Sequence, residues 1–266
     1  MKIGFIGCGN MAKAIIKGII NEGIAPDKIY ASDINTLQLS EYCKQKGINA
    51  LSSNELVIAN CSVIILCIKP QNFQEALSNI KADINGKLFI SIAAGTDIKK
   101  IESLLDKSAK IARIMPNLNA AVAKSTSAVC YNKNCSNDDK RITEFIFNSI
   151  GTIYELEEEF FSAFSAACCC SPAFTFMYIK ALGEGAEKCG LDKDLALESA
   201  ANAVIGSAKM LLDSKKEPAE LIKMVCSPGG TTIEGVKSLE SDGFEKAVIS
   251  AVNASYSKDK ELLNNK

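Results

Sequence analysis

Short apolar runs along the chain alternate with stretches in which apolar residues recur every three to four positions. Runs without polar interruption are typical of strands that are buried on both faces of a parallel sheet. The predicted strands, in chain order, are residues 3–6, 29–32, 48–51, 63–68, 88–92, 111–115, 127–131 and 152–156. Helical patterns at 35–46, from 54 onward and at 137–149 lie between them. This alternation predicts an α/β fold with a mainly parallel sheet.

The pattern changes after the acidic cluster at residues 155–159, because strand-like runs stop and only helical periods remain. The predicted helices of this second part are residues 160–168, 172–188, 192–212, 218–226, 231–240 and 243–262. Several of them are apolar over more than one face, which is more apolar surface than a small helical core needs. The sequence therefore predicts two domains, 1–159 and 160–266, of which the second is all-helical and forms a homodimer.

A glycine turn follows the first strand, in the stretch KIGFIGCGNMA at residues 2–12. Gly7 permits a tight turn, Gly9 lets the backbone approach a pyrophosphate, and Ala12 is small enough for the helix to pack on the sheet. The helix that starts at Asn10 and Met11 points its first amides at the phosphates. This pattern predicts a Rossmann-type dinucleotide-binding domain, although a G-x-G-x-x-A match alone also fits an ordinary turn.

Special residues stand at the ends of several predicted strands, where ligands of open parallel sheets bind. Asp33 follows the second strand and can accept hydrogen bonds from the adenosine ribose. The later strand ends are Lys69-Pro70, Ala93-Ala94-Gly95 and Pro116-Asn117. Three such strand ends favour a binding site over simple turns. Gly23 is predicted to end the first helix as a left-handed cap.

Composition narrows the class of protein. The 266 residues carry a net charge of −1 and are 47% apolar, so we expect a cytoplasmic protein without nucleic-acid or membrane partners. No apolar run of the sequence is expected to span a bilayer. The chain has no histidine, which excludes Ser-His and Cys-His triads and histidine-based zinc sites. The eleven cysteines lack C-x-x-C spacing and are interpreted as reduced, small apolar residues.

The stretch PAELIKMVCSPGGTTIEGVKSLE, at residues 218–240, resembles the signature of the pyrroline-5-carboxylate reductases. Further matches follow in the same order along the chain: GFIGCGNMA at 4–12, IKPQ at 68–71, SIAAG at 91–95, MPN at 115–117, AKMLL at 208–212 and ESDGF at 240–244. The resemblance implies reduction of 1-pyrroline-5-carboxylate to L-proline by NAD(P)H, the last step of proline biosynthesis. It also implies an intertwined helical dimer that often builds larger rings, with a decamer as one alternative.

The resemblance assigns roles to single residues of this chain. Thr232, at a helix start, offers its hydroxyl to the ring nitrogen of the substrate, although a threonine there is also an ordinary N-cap. The free amides of Gly230, Thr231 and Thr232 would hold the substrate carboxylate. The implied substrate-binding residues are Gly229, Gly230, Thr231, Thr232, Cys170 and Asn117. The implied cofactor-binding residues are Gly7, Gly9, Asn10, Met11, Ala12, Asp33, Asn54, Ile68, Lys69, Pro70, Ala93, Ala94, Gly95 and Pro116. Asn54 has the alternative role of a helix N-cap.

Two departures from the family pattern leave alternatives open. Residues 168–173 read CCCSPA where the family usually reads SGSGPA, so a redox role for the thiols, a related reductase with another substrate, or a weakly catalytic paralogue stay as alternatives. No metal site is expected. Asp33-Ile34 stands where some relatives carry Asn-Arg, and both arginines of the chain, Arg113 and Arg141, lie elsewhere. A carboxylate without a nearby cation favours NADH over NADPH, although Ser32, Asn35 and Asn54 can hydrogen-bond a phosphate.

Overall fold

A computed structural model of the protein describes residues 1–77, 80 and 82–264. The contacts divide the chain into two compact units. Unit 1 comprises Met1–Cys169 together with the residues from Tyr256 onward, and unit 2 comprises Cys170–Ser255. The compact units separate after Cys169, ten residues later in the sequence than the predicted boundary at residue 159. The division into two functional domains stays a prediction.

Unit 1 is built on an eight-stranded sheet with the order β3-β2-β1-β4-β5-β6-β7-β8. The strands are β1 Ile3–Ile6, β2 Ile29–Ser32, β3 Asn49–Ala50, β4 Val63–Leu66, β5 Leu88–Ser91, β6 Lys110–Met115, β7 Ser125–Tyr131 and β8 Gly151–Glu155. The first six are parallel and follow the 3-2-1-4-5-6 order of dinucleotide-binding sheets. The predicted α/β class and the predicted strands are confirmed.

One strand reverses direction, which the sequence pattern did not indicate. β7 is antiparallel to β6, with Met115 opposite Ala128. The connection holds only a short 3₁₀ turn, Leu118–Val122, and a parallel crossover needs a dozen residues or more. β8 is again parallel to β7, because a full helix connects them.

The helices of unit 1 cover both faces of the sheet. They are α1 Asn10–Asn21, α2 Thr36–Lys46, α3 Asn54–Asn60, α4 Phe73–Leu77, α5 Ile98–Leu104, α6 Asn137–Asn148 and α7 Phe161–Phe164. α1 buries Ile15, Ile16 and Ile19 completely against the sheet, as its predicted apolar face requires. Gly23, with φ +93°, follows α1 in the left-handed region, which confirms the predicted cap. The short helices α4 and α5 were not predicted, because one or two turns show little periodicity.

The remaining helices are α8 Ser171–Lys188, α9 Lys193–Ser214, α10 Pro218–Val225, α11 Thr231–Ser241 and α12 Phe244–Asn264. Within unit 2, an apolar groove of about 490 Å³ lies among α8, α11 and α12, and Met177 in its wall is 71% exposed. Large apolar side chains are also exposed on α9, among them Leu197 and Ile205. Unit 2 therefore presents apolar surface that its own residues do not cover.

Two helical stretches, Glu158–Lys188 and Lys193–Ser214, are long and apolar enough to cross a membrane by length and composition alone. The expectation that no apolar stretch reaches this length was therefore wrong. Only 28% and 11% of their apolar windows are buried. Alanine and other small residues raise the hydropathy of these helices without long unbroken runs of large apolar side chains.

Candidate active site

The turn after β1 lies at the point where the strand order of the sheet reverses, between β1 and β4. Gly7 has φ +89°, and a Cβ there would lie 2.5 Å from the carbonyl oxygen of Cys67, so the turn itself requires glycine. The Gly7 amide donates to the oxygen of Ser32 at 2.8 Å. A Cβ on Gly9 would meet no atom within 4 Å. The open face at Gly9 fits a ligand that approaches the backbone, as a pyrophosphate does in dinucleotide sites.

α1 begins at this open face. Gly9 is its N-cap and supplies no side-chain oxygen. Among the described residues, the amides of Asn10, Met11 and Ala12 have no hydrogen-bond acceptor, while Lys13 already bonds to Gly9. These amides and the helix dipole favour a negatively charged group at this position. The turn and helix therefore fit the phosphates of a dinucleotide.

Asp33 closes the turn from the neighbouring strand. Its Oδ2 accepts from the amide of Cys8 at 2.6 Å, and its Oδ1 accepts from the amide of Asn35 at 2.8 Å. Each carboxylate oxygen can accept a further hydrogen bond, for example from a ribose hydroxyl. Asp33 thus combines a structural role in the glycine turn with a position suited to adenosine.

Asn54 is the first residue of α3, and its N-cap is Ser53, whose hydroxyl accepts from Leu56. The alternative role of Asn54 as a helix cap was therefore wrong. Its Oδ1 accepts from the Ser32 hydroxyl at 2.8 Å, and its Nδ2 donates to the oxygen of Ala76 at 3.3 Å. The side chain links the end of β2 to α4 beside the predicted adenosine position.

The ends of β4 and β5 contribute to a cleft of about 610 Å³ within unit 1. Pro70, Ala94 and Gly95 line it, together with Asp259 and Leu262 from the end of α12. Lys69 precedes Pro70 as the N-cap of a 3₁₀ turn, and Ile68 lies beside Gly7. Ala93, in contrast, is 4% exposed.

The end of β6 is held by a network around Asn117, which is 5% exposed. Its Nδ2 donates to the oxygen of Cys168 at 2.8 Å, and its Oδ1 accepts from Asn119 and Thr126 at 3.2 and 3.4 Å. The preceding Pro116 accepts from the thiol of Cys169 at 3.5 Å. Protein groups therefore already bond to both the nitrogen and the oxygen of the Asn117 side-chain amide. The predicted contact of Asn117 with the substrate stays a prediction.

In unit 2, the SPGGTT loop leads into α11. Gly229 has φ +72°, and Gly230 is the N-cap. The Gly230 amide donates to the carbonyl oxygen of Ser227 at 3.0 Å. The sequence suggested that this amide is free to bind the substrate carboxylate, but it already has an acceptor in the protein. Among the residues described, the amides of Thr231 and Thr232 and the Thr232 hydroxyl have no partner. This leaves two amides and one hydroxyl for an anion and a polar atom.

The cysteine run lies at an irregular point of the chain. Cys168 and Cys169 belong to a π-helical turn, Ser165–Cys169, and Cys170 is the N-cap of α8. Burial raises the pKa of the Cys168 thiol, which favours its neutral form. In the described part of the chain, no group of three or more potential ligands is placed to hold a metal ion.

Sequence reasoning missed one polar pair in unit 1. Arg113 is 2% exposed, and its Nη1 lies 2.9 Å from Oε1 of Glu158. The guanidinium also lies 4.6 Å from the centre of the Phe161 ring. An arginine within the otherwise apolar run 111–115 was the available signal, because a buried charge needs a partner.

Comparisons with known proteins agree with this geometry. Residues 158–262 match the family described as pyrroline-5-carboxylate reductase dimerisation, and residues 2–95 match the family described as NADP oxidoreductase, coenzyme F420-dependent. A pyrroline-5-carboxylate reductase of Methanosarcina acetivorans is 38% identical over 98% of this chain and 97% of its own length. That of Escherichia coli K12 is 37% identical over 98% of each chain.

Two solved structures are also similar over nearly the whole chain. The pyrroline carboxylate reductase of Plasmodium falciparum with NADP bound has a TM-score of 0.89 at 32% identity, covering 99% of this chain and 98% of its own. The enzyme of Coxiella burnetii has a TM-score of 0.92 at 31% identity, covering 98% of each chain. The two family models cover the glycine turn of unit 1 and the SPGGTT loop of unit 2. The chain belongs to the pyrroline-5-carboxylate reductase family.

Proposed function

We propose that this protein reduces 1-pyrroline-5-carboxylate to L-proline with a nicotinamide cofactor. The observation that carries the proposal is the open backbone at Gly9, followed by the unpartnered amides of α1, in a chain related to these reductases over its full length. The reduced cofactor supplies a hydride to the carbon of the substrate's C=N bond. The residues of the chain bind, orient and polarise the two molecules.

We assign the substrate to the start of α11. The amides of Thr231 and Thr232 hold the carboxylate, since the positive end of a helix stabilises an anion. The oxygen of the Thr232 hydroxyl accepts a hydrogen bond from the N–H of the ring nitrogen, whose proton makes the neighbouring carbon more electrophilic. The substrate enters as its protonated imine, so the chain needs no histidine as acid. A pH profile governed by an enzyme group far from the pKa of the imine would contradict this assignment.

We propose that NADH is preferred over NADPH. The carboxylate of Asp33 lies at the predicted adenosine position, where it repels a 2′-phosphate. Ile34 beside it is 97% exposed and offers no positive charge. The Ser32 hydroxyl and the amide of Asn54 are already bonded to each other and to α4. These contacts leave fewer donors for a phosphate than the sequence alone suggested.

We propose that the apolar groove of unit 2 and the exposed face of α9 pair with a second copy of the chain. The family model that matches residues 158–262 is a dimerisation model, which supports a protein partner over lipid for these helices. A homodimer of this kind, alone or within a decamer, would act in the cytoplasm on a small molecule without nucleic acid.

The direct test is the loss of nicotinamide absorbance when 1-pyrroline-5-carboxylate is added to the purified protein with NADH or NADPH. Turnover with a lower KM for NADH is expected. Tight cofactor binding without turnover would instead support a non-catalytic paralogue, in line with the altered run Cys168–Cys170. Turnover of a different imine or keto acid from a panel would identify a related reductase.

A further inference from the structure

A short segment of unit 1, residues 158–169, bonds at its start to β6 and at its end to the residues that follow β6. At its start, Glu158 pairs with the buried Arg113 at 2.9 Å. The same Oε1 of Glu158 accepts from the amide of Ile98 at 2.9 Å, so it joins β6 to the start of α5 as well. Phe161, 1% exposed, covers the guanidinium. This end of the segment is therefore held by charge, hydrogen bonding and a cation–π contact.

At its other end, the segment 158–169 contacts the residues that follow β6. Asn117 donates to the oxygen of Cys168, and the Cys169 thiol contacts the oxygen of Pro116. The π-helical turn at Ser165–Cys169 brings these two cysteines to the strand end. Such π-helical turns are frequent at functional sites. Both contacts join residues about fifty positions apart in the sequence.

We propose that Arg113 and Asn117 are positioning residues of the reductase and that together they form a clasp on the segment 158–169. The clasp sets the position of Pro116, a predicted cofactor contact, relative to Cys169. Cys169 precedes the predicted substrate contact Cys170 in the sequence. The effect of the clasp on turnover rests on the proposed function. The coupling between the two ends of the segment does not depend on it.

Asn117→Asp tests the clasp at one end. The carboxylate keeps the acceptors for Asn119 and Thr126, but it lacks the Nδ2 donor to the oxygen of Cys168. Glu158→Ala tests the other end at a side chain that is 32% exposed and touches neither predicted contact. Glu155→Ala is the matched control, because it also removes a glutamate from an ion pair, here with Lys140. Glu155 ends β8 and lies outside the segment 158–169.

In the purified full chain, kcat should fall about tenfold or more in Asn117→Asp and Glu158→Ala, because small errors in position slow a transfer step. The isotope effect with 4-deuterated NADH should rise, since hydride transfer then limits turnover. The Kd for NADH should change less than about twofold, because Asp33 and the glycine turn lie on the other half of the sheet. A lower kcat with an unchanged isotope effect would overturn the positioning role.

Hydrogen exchange measures the clasp without any turnover. Glu158→Ala should speed amide exchange not only at residues 158–169 but also at 117–119, and Glu155→Ala should change neither. If exchange at 117–119 stays at the wild-type rate in Glu158→Ala, the two ends are independent and the clasp is refuted. If exchange couples as expected while the wild type turns over no 1-pyrroline-5-carboxylate, the clasp stands and the proposed function fails.

Discussion

The amide of Cys8 donates a hydrogen bond of 2.6 Å to Oδ2 of Asp33, which lies 25 residues further along the chain. The bond joins the glycine turn after β1 to the end of β2. It gives the carboxylate a structural role in addition to the ribose contact that the sequence suggests. A substitution at Asp33 therefore acts on two properties. It changes the hydrogen bond that shapes the glycine turn, the charge at the predicted adenosine position, or both.

Asp33→Asn should relax the discrimination against NADPH. The amide oxygen still accepts from Cys8, while the negative charge that repels a 2′-phosphate is gone. The ratio of the Kd values for NADPH and NADH should fall about tenfold, which corresponds to about 1.4 kcal/mol. Fluorescence titration of both cofactors measures this ratio. Asp27→Asn, an exposed acid on another loop, is the control, and an unchanged ratio at Asp33 would exclude it as the determinant.

Gly7→Ala and Gly9→Ala should separate folding from cofactor binding. A methyl group on Gly7 would meet the oxygen of Cys67 at 2.5 Å at a positive φ, so the unfolding free energy should drop by at least about 1–2 kcal/mol. Gly9 has open space and φ −76°, so its variant should keep the wild-type Tm. Binding of NADH should nevertheless weaken at least about tenfold, because the methyl group occupies the approach to the backbone.

Thermal melting and cofactor titration of the two variants provide the comparison. A Gly9→Ala protein that binds NADH like the wild type would show that the open face at Gly9 does not hold the cofactor.

Thr232→Ala should lower kcat/KM for 1-pyrroline-5-carboxylate about a hundredfold, which is the typical loss when one hydrogen bond to the reacting group is removed. Thr232→Ser keeps a hydroxyl and should recover most of the activity. The KM for NADH should stay unchanged in both variants. Ser238→Ala, at an exposed position near the other end of α11, is the control. If Thr232→Ala and Thr232→Ser are equally slow, the hydroxyl does not bond to the ring nitrogen.

Stability should fall as the pH rises above about 9, because burial raises the pKa of Cys43 and Cys61 to about 11 from an ordinary value of 9.0. Between these values the unfolded chain releases thiol protons that the folded chain retains, so unfolding becomes more favourable. Urea denaturation at pH 8 and pH 10.5 should show the decrease. Cys61→Ala should reduce this pH dependence, whereas Cys189→Ala, at an exposed thiol, should leave it unchanged. Equal slopes in all three proteins would refute the assignment to buried thiols.

The sequence by itself determined the parts of this protein that depend on local periodicity and backbone conformation. The apolar runs predicted the strands of the sheet, the face containing Ile15, Ile16 and Ile19 predicted α1, and Gly23 predicted its end. The turn at Gly7 was also predicted, because only glycine tolerates its backbone angle without strain. Each of these features is set within a few residues, so a pattern in the chain is sufficient to reveal it.

Only the tertiary structure decided which polar groups are already occupied. Asn54, Asn117 and the amide of Gly230 were all predicted to meet a ligand, and each has a protein partner. Ser32 as the partner of Asn54, Cys168 as that of Asn117 and Glu158 as that of Arg113 lie 22 to 51 residues away in the sequence. The order of the strands brings such residues together, and no spacing along the chain records which hydrogen bonds the packed sheet then completes.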